Sequence, residues 1–176
     1  ILGIQTDGKY QCVFVDTPGF NSGETKALNR IMNETVLSVI ADVDLVLFVV
    51  ERLSFNRGDD RVLDLLKNIK IPIILAINKI DLVEKKNELL PHIKRLSSLF
   101  EFAEVVPISA STGYNLDLIA ELTTKFLPQS PFLFPTNQIT DRNSRFLAAE
   151  LIREKITRQL GDEIPYEASV EIEDFQ

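Results

Sequence analysis

The sequence predicts an α/β fold, in which a doubly wound, mostly parallel sheet carries helices on both faces. Two observations support this prediction. The runs Leu45–Val50 and Ile71–Lys79 are almost entirely apolar, which is typical of strands buried on both faces of a parallel sheet. Segments with apolar residues at helical spacing lie between such runs, so strands and helices alternate along the chain.

The composition fits a packed α/β domain and excludes several other classes of protein. Of the 176 residues, 45% are hydrophobic, and no apolar run approaches the ~20 residues of a membrane-spanning helix. The single cysteine, Cys12, lies in a predicted strand and the single histidine, His92, stands alone, so we expect neither a disulfide nor a zinc site. The net charge of −7 argues against nucleic-acid binding by the whole surface. Any RNA contact must therefore be local.

The first elements are predicted to form a β-hairpin. Ile1–Gln5 and Tyr10–Val15 are strand-like runs, and the Asp7–Gly8 pair between them is a strong turn signal. The second run ends on Asp16, because Pro18 lacks a backbone donor and cannot continue a strand. A carboxylate is thus expected at the carboxyl end of a strand, where open α/β sheets bind their ligands.

Five amphipathic helices are predicted from apolar residues that recur at helical spacing. Gly58 opens one of them, Asn115 and Asp141 are expected to cap two others, and Pro91 is tolerated in a first turn. The inward-facing residues are predicted to be Leu28, Ile31, Met32, Val36 and Val39; Val62, Leu65, Leu66 and Ile69; Leu89, Leu90, Ile93, Leu96, Leu99 and Phe100; Leu118, Ile119, Leu122 and Phe126; and Phe146, Ala149, Ile152, Ile156 and Leu160.

A proline-rich segment divides the chain. Pro128–Pro135 is predicted to be a linker, with Phe132 and Phe134 pinning it to a surface. We therefore predict a first domain over residues 1–128, a linker over 129–138 and the start of a second domain over 139–176. In the second domain, Ala168–Phe175 alternates apolar and polar residues and is predicted to be a half-buried or edge strand.

Three strand ends carry polar motifs: DTPGF at Asp16–Phe20, NKID at Asn78–Asp81 and SAS at Ser109–Ser111. Their order and positions resemble the G3, G4 and G5 elements of guanine-nucleotide-binding domains, and the whole chain resembles the Era family of bacterial GTPases. NKID is the most specific motif. The resemblance implies a P-loop-NTPase-like fold followed by the start of an α+β KH domain that binds RNA. The candidate nucleotide-binding residues are Asp16, Thr17, Pro18, Gly19, Phe20, Asn78, Lys79, Ile80, Asp81, Ser109, Ala110 and Ser111.

The Asp81 carboxylate explains how such a site would select guanine. Its two acceptor oxygens match the N1–H and amino donors of guanine, whereas adenine would present an acceptor at N1. In the resembled family, the residue at Asn78 braces the base and the neighbouring loops, and the stem of Lys79 lies against the nucleotide. The same resemblance assigns the Ala110 backbone N–H to guanine O6. The implied ligands are GTP and GDP.

The DTPGF motif is implied to act on the phosphates. The resemblance gives Asp16 a role in binding Mg²⁺ through water, and gives Gly19 a backbone contact with the γ-phosphate. Many GTPases carry a water-orienting glutamine directly after this motif. Here that position is Phe20, which has no polar side-chain atom, so no catalytic residue is assigned and slow hydrolysis is implied.

Two motifs are absent from the sequence: the G-x-x-x-x-G-K-[ST] phosphate loop and the G-x-x-G loop of KH domains. The chain is therefore interpreted as an Era-type protein truncated at both ends, with impaired nucleotide and RNA binding. We expect it to bind GTP very weakly. We also expect its sheet to be interrupted, because the strand that leads into the phosphate loop lies centrally in the resembled family.

The resemblance implies a GTPase that hydrolyses GTP slowly and binds 16S rRNA and the small ribosomal subunit during ribosome assembly. It also implies a cytoplasmic location, peripheral association with the inner membrane and no DNA partner. Der or MnmE would show a second motif set or a terminal cysteine motif, which this sequence lacks. A nucleotide-independent RNA-binding or scaffold protein derived from a GTPase stays open as an alternative. The basic side of the last predicted helix fits either an RNA contact or a solvated surface: Arg142, Arg145, Arg153, Lys155 and Arg158.

Overall fold

The computed structural model describes residues 1–17, 36, 38–160 and 169–174, without the side chains of residues 86 and 160. The chain divides into two compact units. Ile1–Asp16 and Phe132–Gln176 form the first unit, and Thr17–Pro131 forms the second. The N-terminal residues thus group with the C-terminal part of the chain. Each unit is described by itself.

Strands β1 (Leu2–Asp7) and β2 (Tyr10–Val15) form a hairpin in the first unit, as the sequence predicts. The strands are antiparallel, and Asp7 pairs with Tyr10. β1 therefore extends two residues beyond the prediction, and the turn consists of residues 8 and 9. Cys12 is buried, as expected of a small core residue, and this burial raises the pKa of its thiol.

A parallel three-stranded sheet forms the centre of the second unit. Its strands, in order across the sheet, are β3 (Val46–Glu51), β4 (Ile73–Asn78) and β5 (Glu104–Pro107). In the register, Glu51 lies beside Asn78, so β3 and β4 end at the same level. The parallel order confirms the predicted doubly wound class. The hairpin and this sheet are separate sheets, which agrees with the expected interruption.

Helices cover both faces of the three-stranded sheet. Three helices pack against it: α1 (Arg57–Leu66), α2 (Leu89–Ser97) and α3 (Leu116–Phe126). One core contains Leu63, Leu66 and Leu96 packed with alternate β4 residues, and the other contains Ile119 packed with the remaining ones. Successive side chains of a strand point to opposite faces. All five apolar residues of β4 are therefore at most 2% exposed.

The sequence predicts the start of α1 well, and the structure supplies the reason. Asn56 is the N-cap: its side chain accepts from the Gly58 and Asp59 N–H groups, at 2.6 and 3.4 Å. The Asp59 carboxylate accepts in return from the Asn56 N–H at 2.7 Å, which completes a capping box. Three backbone donors at the start of the helix are thereby satisfied.

Several predicted helix faces are wrong in detail. Leu90 and Leu99 are 74% and 41% exposed, and Leu118 is 39% exposed, whereas Leu63, which was not predicted, is buried. Helical spacing alone leaves the edges of an apolar stripe undetermined, because packing partners decide which edge is covered. Asn115 occupies the N-cap position of α3 but makes no side-chain cap. Its side chain instead donates to the Pro107 carbonyl at 2.8 Å.

Helix α4 (Ser144–Leu160) belongs to the first unit, and its cap differs from the prediction. Asn143 Oδ1 accepts from the Phe146 N–H at 2.9 Å, so Asn143 rather than Asp141 caps the helix. Asp141 is engaged elsewhere, because it accepts from the Leu2 N–H at 2.9 Å. Ile152, predicted to face inward, is 45% exposed.

Three further predictions concern the C-terminal strand, the proline-rich linker and the first helix. Residues 169–174 contain no strand, so the predicted strand over Ala168–Phe175 is not found in the part that is described. The proline-rich linker is held by its backbone rather than by Phe132, whose side chain is 41% exposed. Val36 and residues 38–40 are helical, and Val36 is buried. The other core residues predicted for that first helix, Leu28, Ile31 and Met32, lie outside the described residues.

Within the described ranges, none of the helices is both long and apolar enough to cross a lipid bilayer.

Leu96 and Leu90 of α2 provide a matched test of the core. Leu96 is completely buried and Leu90 is 74% exposed, although both lie on the face predicted to point inward. Leu96→Ala should lower the free energy of unfolding by about 2–5 kcal/mol, because it leaves a cavity in the core. Leu90→Ala should change it by less than about 0.5 kcal/mol. Chemical unfolding followed by circular dichroism measures both, and equal effects would contradict the orientation of α2.

His92 of α2 should make stability depend on pH. It is 8% exposed and its Nε2 atom has no hydrogen-bond partner. Burial, together with the positive charge of Arg95, lowers the pKa of His92. Its pKa is thus lower in the folded than in the unfolded chain, where it is about 6.5. The stabilisation is full above the unfolded-state pKa and is lost as pH falls towards the folded-state pKa.

We therefore expect the free energy of unfolding to fall more between pH 7.5 and pH 5.5 in the parent than in His92→Leu. Unfolding curves at the two pH values measure this difference directly. The same pH dependence in both proteins would show that His92 does not titrate between folded and unfolded states in this range.

Candidate nucleotide-binding site

The carboxyl ends of β4 and β5 bring two predicted motifs together. Two backbone bonds continue the contact beyond the strands: the Ile108 N–H donates to Ile77 O at 2.8 Å, and the Ile80 N–H donates to Ile108 O at 3.2 Å. Asn78 is the last residue of β4, and Ser109 follows β5 by two residues. Because parallel strands end at the same edge of a sheet, NKID and SAS become neighbours there, as sheets of this class require for ligand binding.

Two serine hydroxyls hold the Asp81 carboxylate. The Ser109 hydroxyl donates to Asp81 Oδ1 at 2.6 Å, and the Ser111 hydroxyl lies 3.5 Å from Oδ2. Ser109 is only 1% exposed, and its Oγ also accepts from the Thr112 N–H at 3.3 Å. The buried serine therefore fixes the orientation of a carboxylate that is otherwise exposed to solvent.

The Asn78 side chain braces both loops. Its Oδ1 accepts from the Lys79 N–H at 2.7 Å and from the Ala110 N–H at 3.0 Å. Lys79 has φ 61° and ψ 33°, a left-handed conformation that turns the chain sharply after β4. Asn78 thus joins the loop after β4 to the loop after β5. The Ala110 N–H, implied to meet guanine O6, is engaged by Asn78 in this arrangement.

Lys79 pairs with a residue that sequence reasoning missed. Its ammonium lies 3.3 Å from Glu51 Oε1 at the end of β3. This hydrogen bond and charge lower the pKa of Glu51, and Arg52 adds to the effect. The Arg52 N–H also donates to Asn78 O at 2.8 Å, which ties the two strand ends together. The sequence offers one signal for Glu51: like Asp16, it is an acidic residue at the end of an apolar run.

The DTPGF motif is described only in part. Asp16 ends the N-terminal segment of the first unit; its N–H donates to Ile1 O at 3.0 Å and its side chain is exposed. Thr17 is exposed, while Pro18, Gly19 and Phe20 lie outside the described residues. Among the residues that the structure describes, no group of three or more His, Cys, Asp or Glu side chains could enclose a metal ion.

Comparisons with known proteins agree with this geometry. The profile of a family described as 50S ribosome-binding GTPase matches residues 2–79. The chain is 50% identical over 176 residues to the GTPase Era of Marinobacter nauticus and 52% identical to that of Azotobacter vinelandii, in each case over its whole length. The chain is thus similar to GTPase Era over its whole length. It spans 58% and 59% of the length of these two Era relatives.

Solved Era structures are also similar to the chain. One is a variant of Aquifex aeolicus Era bound to GDP and AlF4⁻, with a TM-score of 0.78 and 33% identity. Another is Era in complex with MgGDPNP and nucleotides 1506–1542 of 16S ribosomal RNA, with a TM-score of 0.79 and 33% identity. Each match covers 93% of this chain and 56% of the Era chain to which it is compared.

Asn78 should stabilise this site even without a ligand. Asn78→Ala removes the acceptor shared by the Lys79 and Ala110 N–H groups, and we expect it to lower the free energy of unfolding by about 1–3 kcal/mol. The amide hydrogen of Ala110 should exchange faster as well. Asn87→Ala, at an exposed position, is the control. Unchanged exchange at Ala110 would contradict the bracing role.

Proposed function

We propose that this chain supplies the guanine-recognition side of an Era-type GTPase. The observation that carries the proposal is the orientation of Asp81 by Ser109 and Ser111, beside the loops braced by Asn78. A carboxylate held in this way can accept two hydrogen bonds from guanine without first being ordered. Ordering a free side chain would otherwise cost binding energy. The proposed ligands are GTP and GDP.

Other residues of the NKID and SAS motifs are suited to the further contacts that a bound guanine nucleotide would make. Lys79 is held by Glu51 at 3.3 Å, which supports the proposed position of its stem against the nucleotide. For the Ala110 N–H to reach guanine O6, its bond to Asn78 must be shared or exchanged. Ile80 contributes through its backbone, whose N–H donates to the carbonyl of Ile108, the residue that follows β5. These roles rest on the Era resemblance together with the local geometry.

The phosphate side of the proposal rests on Asp16 and the residues that follow it. Mg²⁺ prefers oxygen ligands, keeps several waters and uses one or two carboxylates together with substrate phosphates. A single exposed carboxylate at Asp16 fits this requirement, and it would hold the ion through water. When bound, the ion would neutralise charge on the phosphates. Because Phe20 cannot hydrogen-bond a water, we propose slow hydrolysis of GTP.

We further propose that the partner is RNA of the small ribosomal subunit. The support is a similar Era structure that contains nucleotides of 16S ribosomal RNA. The description of the matched family profile names the 50S ribosome instead. The basic side chains of α4 are a weak support, because Arg153 and Arg158 pair with Glu150 and Glu154 at 2.6 and 2.7 Å. Residues 139–176 remain a proposed start of a KH domain, with residues 129–138 as a linker. A cytoplasmic location with peripheral membrane contact is proposed from the resemblance alone.

The alternative is a nucleotide-independent RNA-binding or scaffold protein derived from a GTPase. The geometry at Asp81 argues against it. A protein that bound no guanine would not need its Asp81 carboxylate to be aligned by a serine that is 1% exposed and lies 2.6 Å away. Guanine specificity is therefore the property to test.

Asp81→Asn tests the proposal in a chimera. Because the sequence contains no phosphate loop, the chain replaces the matching part of full-length Marinobacter nauticus Era. The variant should bind GTP more weakly by about 2–4 kcal/mol, because a charge-assisted pair is lost and an amide N–H opposes the base. Xanthosine triphosphate, with an acceptor at C2, should bind the variant better than GTP does. Competition titration measures both affinities.

Asp42→Asn, in an exposed turn outside the motif, is the control and should leave the preference for GTP unchanged. A variant at Asp81 that keeps the parent's ratio of GTP to xanthosine triphosphate affinity would show that Asp81 does not read the base.

A further inference from the structure

The side chain of Asn115 does not cap α3, although Asn115 occupies the N-cap position. Its Nδ2 donates to the Pro107 carbonyl oxygen at 2.8 Å, in a partly buried hydrogen bond. Pro107 is the last residue of β5, and α3 begins at Leu116. The bond therefore joins the end of the strand to the start of the helix, across the segment that carries the SAS motif.

The Pro107 carbonyl lies on the side of β5 that has no neighbouring strand among the described residues. The Ile108 N–H donates to Ile77 O, and Ile108 O accepts from the Ile80 N–H, so both backbone groups of Ile108 face β4. Residue 107 precedes it in the strand and faces the other way. β5 is an end strand of the three-stranded sheet. The Asn115 amide thus supplies a hydrogen bond that a further strand would otherwise provide.

The backbone conformation at Asn115 accounts for an asparagine at this position. Asn115 has φ 58° and ψ 17°, a left-handed conformation that asparagine tolerates better than most residues do. Gly113, two residues earlier, has φ 81°. These two positions turn the chain from the loop into α3. Asparagine combines tolerance of this turn with an N–H donor, whereas glycine would keep the turn and lose the donor.

The loop between β5 and α3 is closed by hydrogen bonds of its own. The Ser109 N–H donates to Tyr114 O at 3.1 Å, and the Gly113 N–H donates to Ser109 O at 2.9 Å. Ser109 and Tyr114 thereby form an isolated antiparallel bridge. The Thr112 N–H donates to Ser109 Oγ at 3.3 Å. Ser109 is therefore bonded to the returning part of the loop, directly before Asn115.

This closed loop carries the two hydroxyls that hold Asp81. Ser109 donates to Asp81 Oδ1 at 2.6 Å, and a hydroxyl has only one hydrogen to donate. In its contact with Ser111, at 3.1 Å, Ser109 must therefore be the acceptor. Ser111 also lies 3.5 Å from Asp81 Oδ2. Because both serines belong to the loop, a displacement of the loop would change the orientation of the carboxylate.

We propose that Asn115 is a positioning residue for guanine recognition: by joining the end of β5 to the start of α3, it keeps Ser109 and Ser111 on the Asp81 carboxylate. Asn115 acts through the loop and does not contact the base. The part of the proposal that concerns guanine rests on the proposed function, whereas the part that concerns the loop does not. Each part has its own experiment.

Amide hydrogen exchange of the chain tests the loop. Asn115→Gly keeps the left-handed turn but removes the donor to Pro107. The amides of Thr112 and Gly113 should then exchange at least about fivefold faster than in the parent, because the loop loses its tie to β5. Asn87→Gly, at an exposed position of the same unit, is the control and should accelerate these amides less than about twofold.

The β4 amides report global stability in both variants, and we expect a similar change in each. Loop amides that exchange in Asn115→Gly as they do in the Asn87→Gly control would overturn the role of Asn115 in the loop.

Asn115→Asp is a second variant, which retains the size and shape of the side chain. At neutral pH its carboxylate has no hydrogen to donate to Pro107 O and would face that carbonyl oxygen instead. We expect the amides of Thr112 and Gly113 to exchange at least about threefold faster than in the parent. Parent-like exchange would count against the role of Asn115, and this variant decides the question if Asn115→Gly does not fold.

The affinities of the chimera for GTP and for inosine triphosphate test the guanine part. Inosine lacks the 2-amino group of guanine, so it offers one of the two donors that Asp81 would accept. Asn115→Gly should weaken GTP binding at least about fivefold and lower the ratio of GTP to inosine triphosphate affinity at least about threefold, because a displaced carboxylate no longer matches both donors. Loss of folded protein alone would reduce the number of binding sites and leave the ratio unchanged.

The outcomes for Asn115 and for the proposed function can be distinguished. A parent-like ratio in an Asn115→Gly chimera whose loop amides exchange faster would overturn the positioning role. If Asp81→Asn keeps the parent's preference for GTP, the proposed function fails. Amide exchange at Thr112 and Gly113 would still decide whether Asn115 holds the loop.

Discussion

Burial of β4 on both faces is the constraint on which the second unit depends. Ile73–Ile77 are at most 2% exposed, with α1 and α2 packed on one side and α3 on the other. Each fully buried side chain of this size contributes about 1.5–3 kcal/mol. A shift of β4 by one residue would exchange the two faces and break both cores. Asn78 is thus fixed at the sheet edge by apolar packing, and the polar site is built from that point.

The polar cluster at this edge is ordered by the protein itself. Ser109 holds Asp81 at 2.6 Å and Asn78 holds the Ala110 N–H at 3.0 Å, so the two loops are tied to each other as well as to their strands. Glu51 adds a charged contact to Lys79 from the third strand end. All three strands therefore contribute to one rigid edge, which lowers the entropic cost of binding a ligand there.

The parts that sequence reasoning predicted are those determined by local pattern. The apolar run of β4 and the polar motifs at the strand ends were readable because each depends on neighbouring residues. The N-cap of α4 could not be predicted in this way, because Asn143 and Asp141 are both good N-cap residues. The choice depends on a distant contact: Asp141 accepts from the Leu2 N–H, and Asn143 caps the helix. Leu90 was predicted to face the core but is exposed. Helical spacing gives the direction of the apolar face, but it does not show how much of that face neighbouring elements cover.

The two units differ in the interactions that stabilise each of them. Among the described residues of the first unit, Ile4 and Cys12 are the buried hydrophobic ones, whereas the second unit has two apolar clusters. An apolar core resists the loss of one polar contact, because many side chains share the stabilisation. In the first unit, hydrogen bonds of Gln11 and Thr140 attach residues 133–141 to the hairpin. Each such bond contributes only about 0.5–1.5 kcal/mol, so this attachment can be released without unfolding the sheet of the second unit.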